Sequence, residues 1–386
     1  MVKNKFSPSP IGLAALFLAC RLVTLIGIPP LDIAGYGDFW SFYHLAEIKG
    51  LPFIHYWMEF PPLFAFLSEG IFFLSNHQEH IYRYLLSFLL LTANAGVIYF
   101  FEKMDRLVNP KENLLRSFIM ALVILALPYS HIYFDPLALV FMMAGLWSMI
   151  QEKNFLAGLM AALGGLTKFF PLILAVGLWK KNWRKWVIFF APIIIIFGVV
   201  YGILYYQSPE FTWASITSQG NKGSWETIWA MIDGNYRSGN FGPLWERLDP
   251  ATAARPMGNP PRISSLLTLA IFGLLGFIGL LKSEVDQDHK RIAVVGFTLT
   301  IFFLWSPGWS VQWVLYLIPL ILLVVPGRMA ILLVFGHIMV NLLEWPVFLA
   351  RNRFDLLPLT IGLRTFLMMI TGLSFFRILR SKRIQP

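Results

Sequence analysis

Long apolar runs recur from one end of the chain to the other, and this limits its fold more than any other feature. Runs able to form a spanning helix, which needs about 20 mainly apolar residues, fall at 11–28, 81–101, 114–133, 136–150, 155–167, 169–179, 186–206, 263–281, 292–305, 311–325, 329–349 and 356–376. Only 13% of the 386 residues are charged and 57% are hydrophobic, against roughly 25% charged in a soluble domain. The pattern predicts an all-α polytopic membrane protein of about 12 transmembrane helices. A transmembrane barrel would instead show short alternating segments.

The net charge of +10 does not point to nucleic acid, because the basic residues sit in short loops between apolar runs. The single cysteine, Cys20, rules out an intramolecular disulfide. The run 11–28 contains Arg21 and is longer than a signal-peptide core, so it reads as a retained first span. The pair 155–167 and 169–179 reads as two tilted spans meeting near Lys168, or as one broken helix.

The run 63–75 is about 13 residues long and contains Glu69, which favours a helix lying on the membrane. Charge parity agrees. If 63–75 does not cross and Lys3 and Lys5 are inside, 19 of the 31 basic residues fall on the inner side: those two, Lys103, Arg106, Lys111, Arg116, Lys153, Lys180, Lys181, Arg184, Lys185, Lys282, Lys290, Arg291, Arg328, Arg377, Arg380, Lys382 and Arg383. Residues 29–80 then form a large outer loop with interfacial helices at about 38–49 and 62–75, the second opened by Pro61-Pro62. His131 to Pro136, Lys168, 207–262, Ser306 to Ser310 and Ala350 to Asp355 share that outer face, and both termini are cytoplasmic. The chain divides into a module at 1–206, an outer loop at 207–262 and C-terminal helices at 263–386, all one integral domain.

The stretch from Tyr36 to Pro62 carries Asp38, His44, Glu47, His55 and Glu59 among many aromatics, directly after the first span. Acidic groups beside a membrane are costly unless wet or paired, so they mark a site. Parity puts Asp38 and Asp135 on one face. One of them can serve as base toward a hydroxyl, or both can hold a divalent cation, magnesium or manganese, through oxygen. Each can also be a plain helix N-cap. Lys168, in GLTKFFP, can hold a phosphate or simply snorkel. Arg83 suits interface anchoring better than a ligand. Arg237, Arg247 and Arg255 can grip a phosphate or sit in solvent, and Glu59 can pair with a base or orient a substrate. His44 and His55 lack metal-ligand spacing. No zinc-protease motif, phosphate-cradling glycine loop or serine elbow is present. The small residues Ala157, Gly158, Ala161, Ala162, Gly164 and Gly165 point to close helix packing.

YGDFWSFYHLAEIKGLPF after the first span, then EFPPLFAFL, FDPLALVFMMAGLWSMIQEKNFLAGLMAALGGLTKFFPLIL and SPGWSVQWVLYLIPL together resemble the GT-C class of membrane glycosyltransferases. The resemblance is to the branch similar to polyprenol-phosphate mannosyltransferases, and it covers roughly the first half and one later helix. It implies a main catalytic acid or base at Asp38, a second acidic position at Asp135, and Lys168 near a donor phosphate. Tyr36, His44, Glu59, Arg83 and Arg237 complete the candidate substrate-binding set. Glu59 departs from the pattern, where an aromatic or neutral residue is expected. The expected activity is inverting transfer of a sugar, mannose first, from a polyprenyl-phosphate donor to a lipid, glycan or protein acceptor. It would take place at the outer face of a prokaryotic plasma membrane. A transporter or flippase of a lipid-linked sugar is the rival, but it calls for midplane charges and repeats. A non-catalytic subunit of a glycosylation complex is the third reading.

Overall fold

The computed structural model describes residues 9–27, 38–110, 115–236 and 241–381. Among them the protein is all helix, with only isolated bridges such as Lys222 to Met257 and Trp225 to Gly308. The helices are α1 (Pro10–Gly27), α2 (Phe39–Ala46), α3 (Pro62–Leu74), α4 (Glu79–Val108), α5 (Leu115–Ala126), α6 (Tyr129–Ile132), α7 (Asp135–Ile150) and α8 (Asn154–Thr167). They continue as α9 (Trp183–Gln207), α10 (Pro209–Thr217), α11 (Ile228–Asp233), α12 (Ser265–Leu281), α13 (Asp288–Trp305), α14 (Val314–Val324), α15 (Gly327–Leu342) and α16 (Leu357–Arg380). Five helical stretches are long and apolar enough to cross a membrane: Pro10–Gly27, Glu79–Val108, Trp183–Gln207, Gly327–Arg351 and Phe354–Arg380. The other expected spans fall on shorter helices, except 292–305, which lies on the 18-residue α13, whose first turn is charged.

Burial follows from sequence. α14 is apolar on every side and sits at the centre, with Leu317, Leu320, Ile321 and Leu323 fully enclosed. α4, α7 and α13 pack around it. By contrast α1, α9 and α12 turn large apolar side chains outward, including Ile26, Ile194, Ile195, Leu266 and Leu274. Such a belt is far beyond what a water-soluble monomer exposes and fits a lipid surround.

The helices expected at about 38–49 and 62–75 are present as α2 and α3. Pro61 precedes α3 and Pro62 opens it, where a missing N–H costs nothing. α2 stops earlier than expected, because the chain turns at Gly50, whose φ is +113° and whose Hα side abuts His55. His55 Nδ1 accepts the Leu51 N–H at 2.9 Å. Glu69 is buried and receives the Tyr56 hydroxyl at 2.6 Å. The expected span 114–133 is shortened to α5, since Pro128 interrupts it before α6. The break at Lys168 is real: its backbone is extended (φ −162°, ψ 136°), and a 3-10 helix at Phe170–Leu178 follows α8.

Contacts sort the loops into two groups at opposite ends of the helices. Arg116 bonds the Leu322 and Val325 carbonyls, Asn109 the Leu323 carbonyl, Lys180 those of Leu281 and Ser283, and Glu152 pairs with both Lys185 and Arg291. The other end gathers the loops around Asp38, Asp135, Lys168, Trp225, Trp309 and Glu344. Residues on both sides of 237–240 dock on the first large loop: the Trp57 indole N–H reaches the Glu246 carbonyl at 3.1 Å and Thr252 Oγ1 at 3.0 Å, and the Met58 N–H reaches Ser215 Oγ at 2.9 Å.

Candidate functional site

Asp38 stands in the turn that opens α2. Its carbonyl accepts the Phe42 N–H at 2.8 Å, but its side chain makes no cap hydrogen bond. The N-cap reading of its carboxylate therefore fails, and among the described residues that carboxylate has no bonded partner. It is half-buried, and burial is the main cause that pushes its pKa up to about 6. The ammonium of Lys168 pulls the other way, Asp135 adds to the rise, Lys222 opposes it and Glu59 adds again. Four further charged groups thus lie within electrostatic reach of Asp38.

Asp135 is the first residue of α7, followed by Pro136, and is fully buried. It does not cap the helix either, since the cap position is Phe134. Its Oδ1 receives Lys168 Nζ at 2.7 Å, while Oδ2 is buried with no partner. The extended backbone at Lys168, where α8 breaks, aims that side chain back at α7. Its ammonium also lies over the rings of Phe134 (5.1 Å), Phe170 (5.7 Å) and Trp313 (5.8 Å). Lys168 is therefore held in place, unlike a residue that snorkels.

The loop after α10 adds a second lysine from above. Lys222 Nζ lies 4.1 Å from the Trp225 ring centre and 5.2 Å from that of Phe241. Burial pushes its pKa down to about 8, against the raising influence of Glu59, Glu226 and Asp38. Glu59 accepts Arg247 NH2 at 2.9 Å, and the guanidinium stacks on Trp57 at 3.8 Å. Glu59 Oε2 and the Arg247 Nε and NH1 groups have no partner and are buried.

The site thus joins Asp38, Asp135, Lys168 and Glu59 of the sequence candidates. It does not recruit His44, which pairs with Glu47 and packs on Trp40, nor Arg83, which pairs with Glu79 on its own helix. Tyr36 and Arg237 lie outside the described residues. Arg247 serves Glu59, and Arg255 pairs with Glu246. Lys222 was not singled out from sequence. The available signal was a lysine three residues before a tryptophan, beside Gly223, whose Cβ position lies only 2.2 Å from the Met257 carbonyl oxygen.

For a shared cation, the donor set is poor. Lys168 already occupies Asp135 Oδ1, and no group of three or more His, Cys, Asp or Glu suited to a metal exists among the described residues. Divalent ions take six or more oxygen donors or several waters, and two carboxylates flanked by two ammoniums do not supply that setting. What the arrangement does offer is a raised-pKa carboxylate next to cations on aromatic faces. It can take a proton from a hydroxyl while an anion is held alongside. No known family model matches the chain, and no curated protein matches it significantly.

Proposed function

We propose that the chain is an integral membrane glycosyltransferase of about twelve spans, GT-C-like, that transfers a sugar from a polyprenyl monophosphate to an acceptor hydroxyl with inversion. The observation that carries this reading is the half-buried Asp38, whose carboxylate has no bonded partner among the described residues and which lies within electrostatic reach of Lys168 and Lys222. A general base works best with a pKa near the operating pH, and about 6 is closer to neutrality than the ordinary carboxylate value. Asp38 takes the acceptor proton as the acceptor oxygen bonds to the anomeric carbon. The bond from that carbon to the phosphate oxygen breaks, and the charge gathers on the polyprenyl phosphate. Lys222 and Lys168 meet that charge through charge-assisted hydrogen bonds. Asp135 orients Lys168 through the 2.7 Å contact to its Oδ1. The choice of polyprenyl phosphate and of mannose rests on the sequence resemblance, and the lack of a nucleotide-binding motif agrees with a lipid-linked donor.

The test is transfer of labelled mannose from synthetic polyprenyl phosphate mannose to a lipid and glycan acceptor pool by the purified protein. Asp38→Asn should lower kcat by about 10²- to 10⁴-fold, the usual worth of a general base, with folding intact by thermal unfolding. Full activity in a folded Asp38→Asn variant would move the base elsewhere. No transfer by the native protein from any polyprenyl-linked sugar would end the enzyme reading.

A further inference from the structure

The apolar belt around the helices does not stop where α9 ends. α9 turns Ile195, Val199 and Ile203 outward along its length. Exposed aromatic residues mark its two ends, Trp183 at the start and Tyr205 and Tyr206 at the close. From Trp183 to Tyr206 it runs about 35 Å at the rise of an α-helix, a little more than a hydrocarbon core about 30 Å thick. Trp and Tyr collect at the two boundaries between membrane and water. The end of α9 therefore stands at the level of the lipid headgroups.

α10 starts close to that level. Only Gln207 and Ser208 separate Tyr206 from its first residue, a reach of about 10 Å at full extension. Its polarity is the reverse of a helix on a water-soluble surface. The face turned inward is small and largely polar. Thr212 Oγ1 donates to the Phe53 carbonyl at 3.2 Å, Ser215 Oγ accepts the Met58 N–H at 2.9 Å, and Ala214 clusters with Trp57 and Ala253. The face turned outward carries Trp213 and Ile216, which are 62% and 47% exposed, with Glu210 on its flank. The short helix Leu244–Leu248 extends the same surface. Leu244 joins the apolar cluster that holds Leu204 and Tyr201 of α9, while Trp245 and Leu248 stay exposed.

We propose that α10 lies in the membrane surface at the Asp38 end, with Trp213 and Ile216 seated among the lipid headgroups and Trp245 and Leu248 beside them. The occupant follows from continuity: the lipid that surrounds α9 reaches Tyr206, and α10 begins there. Tryptophan suits this depth, because its ring is apolar and its one N–H is polar. Lys222 follows α10 by five residues, so this seat also sets the height of the loop that carries it. The inference goes beyond the reaction proposed above and does not depend on it.

The experiment uses the full-length Cys20→Ser protein in vesicles of phosphatidylethanolamine and phosphatidylglycerol, with one nitroxide label at a time. Ile216→Cys and Leu248→Cys place the label on the proposed surface. Ile195→Cys, within α9, gives the reading of the hydrocarbon core. Ala254→Cys, exposed on the segment packed against the inner face of α10, gives the reading of water. Collisions with oxygen, which gathers in lipid, and with a nickel chelate, which stays in water, report the depth. The Ile216→Cys and Leu248→Cys labels should meet oxygen more often than the chelate, at a depth of about 5–10 Å into the boundary between headgroups and acyl chains. The Ala254→Cys label should show the reverse. The two surface sites lie on separate segments, so each checks the other, and an unchanged unfolding temperature marks a variant as folded. The proposal is overturned if a surface label in a folded variant meets the chelate as often as the Ala254→Cys label does. It is also overturned if the surface labels are shielded from both reagents, since protein, such as a second copy of the chain, would then cover the face. Oxygen-rich readings at all three loop sites would overturn it too, because the loop would then be sunk whole and not by the outward face of α10.

Discussion

Asp38 and Lys222 influence each other electrostatically, and burial moves their pKa values toward one another, which sets a pH window. In the proposed reaction Asp38 would work as a carboxylate, so activity should rise as pH passes about 6. Lys222 would work there as an ammonium, so activity should fall as pH passes about 8. The expected profile of kcat/KM is a bell. Arg keeps its charge across this range, so Lys222→Arg should move the alkaline limb upward by a unit or more and leave the acid limb in place. An unchanged alkaline limb would remove Lys222 from the reaction. Glu59 and Arg247 form a largely buried ion pair. Removing one partner of a buried pair leaves the other charge uncompensated, a loss of roughly 3–5 kcal/mol when burial is deep, and Glu59 keeps slight exposure. Arg247→Ala should therefore destabilise the folded protein by roughly 3 kcal/mol. Adding Glu59→Gln should recover part of the loss, as a double-mutant cycle of thermal unfolding would reveal.

At the scale of elements, α8 lies hard against α9. A Cβ at Gly158 would come within 2.0 Å of the Phe189 carbonyl oxygen, while one at Gly198, on α9, would meet nothing. Gly158→Ala should lower the unfolding temperature, by an overpacking cost of about 1–3 kcal/mol. Gly198→Ala should raise it slightly, since glycine in a helix interior costs about 0.5–1 kcal/mol. Equal shifts for both would mean that the α8–α9 contact is not as close as described. The small residues of α8 showed this packing role in the sequence, because only short side chains let two backbones approach. The break at Lys168 was legible too, as a lone lysine ahead of Phe-Phe-Pro. The pairing of Lys168 with Asp135 was not, because it joins residues 33 positions apart through a backbone turn. Lys222 was hidden for a related reason. Nothing near it in sequence reports that the segments carrying Ser215, Glu246 and Thr252 pack against Trp57 and Met58. Arg21 is a similar case: it is costly inside an apolar span, but its NH2 meets His131 Nδ1 at 2.6 Å, a partner 110 residues away.

The whole molecule alternates between two ends, and the charges follow that alternation. The Asp38 end is built of long aromatic loops and the cation–carboxylate cluster, while the other end is tied by Glu152, Lys180, Lys185 and Arg291. Loop basic residues are retained on the cytoplasmic side of a membrane, so the two ends should face opposite compartments, with the Asp38 cluster outside. Cys20 is the only cysteine, so a Cys20→Ser background is free of other thiols. Into it one exposed cysteine can be placed at each end: Glu210→Cys in α10, at the end where α10 meets the first large loop, or Lys153→Cys at the opposite end. In intact cells producing the protein, a membrane-impermeant maleimide should label the first and leave the second untouched until the membrane is opened. The reverse pattern would place the cluster in the cytosol, where nucleotide sugars are available and a lipid-linked donor loses its main advantage. Labelling of both in intact cells would mean that α7, α8 and α9 do not carry the chain across, since those helices are what separate residue 153 from residue 210 and from the Asp135–Lys168 pair.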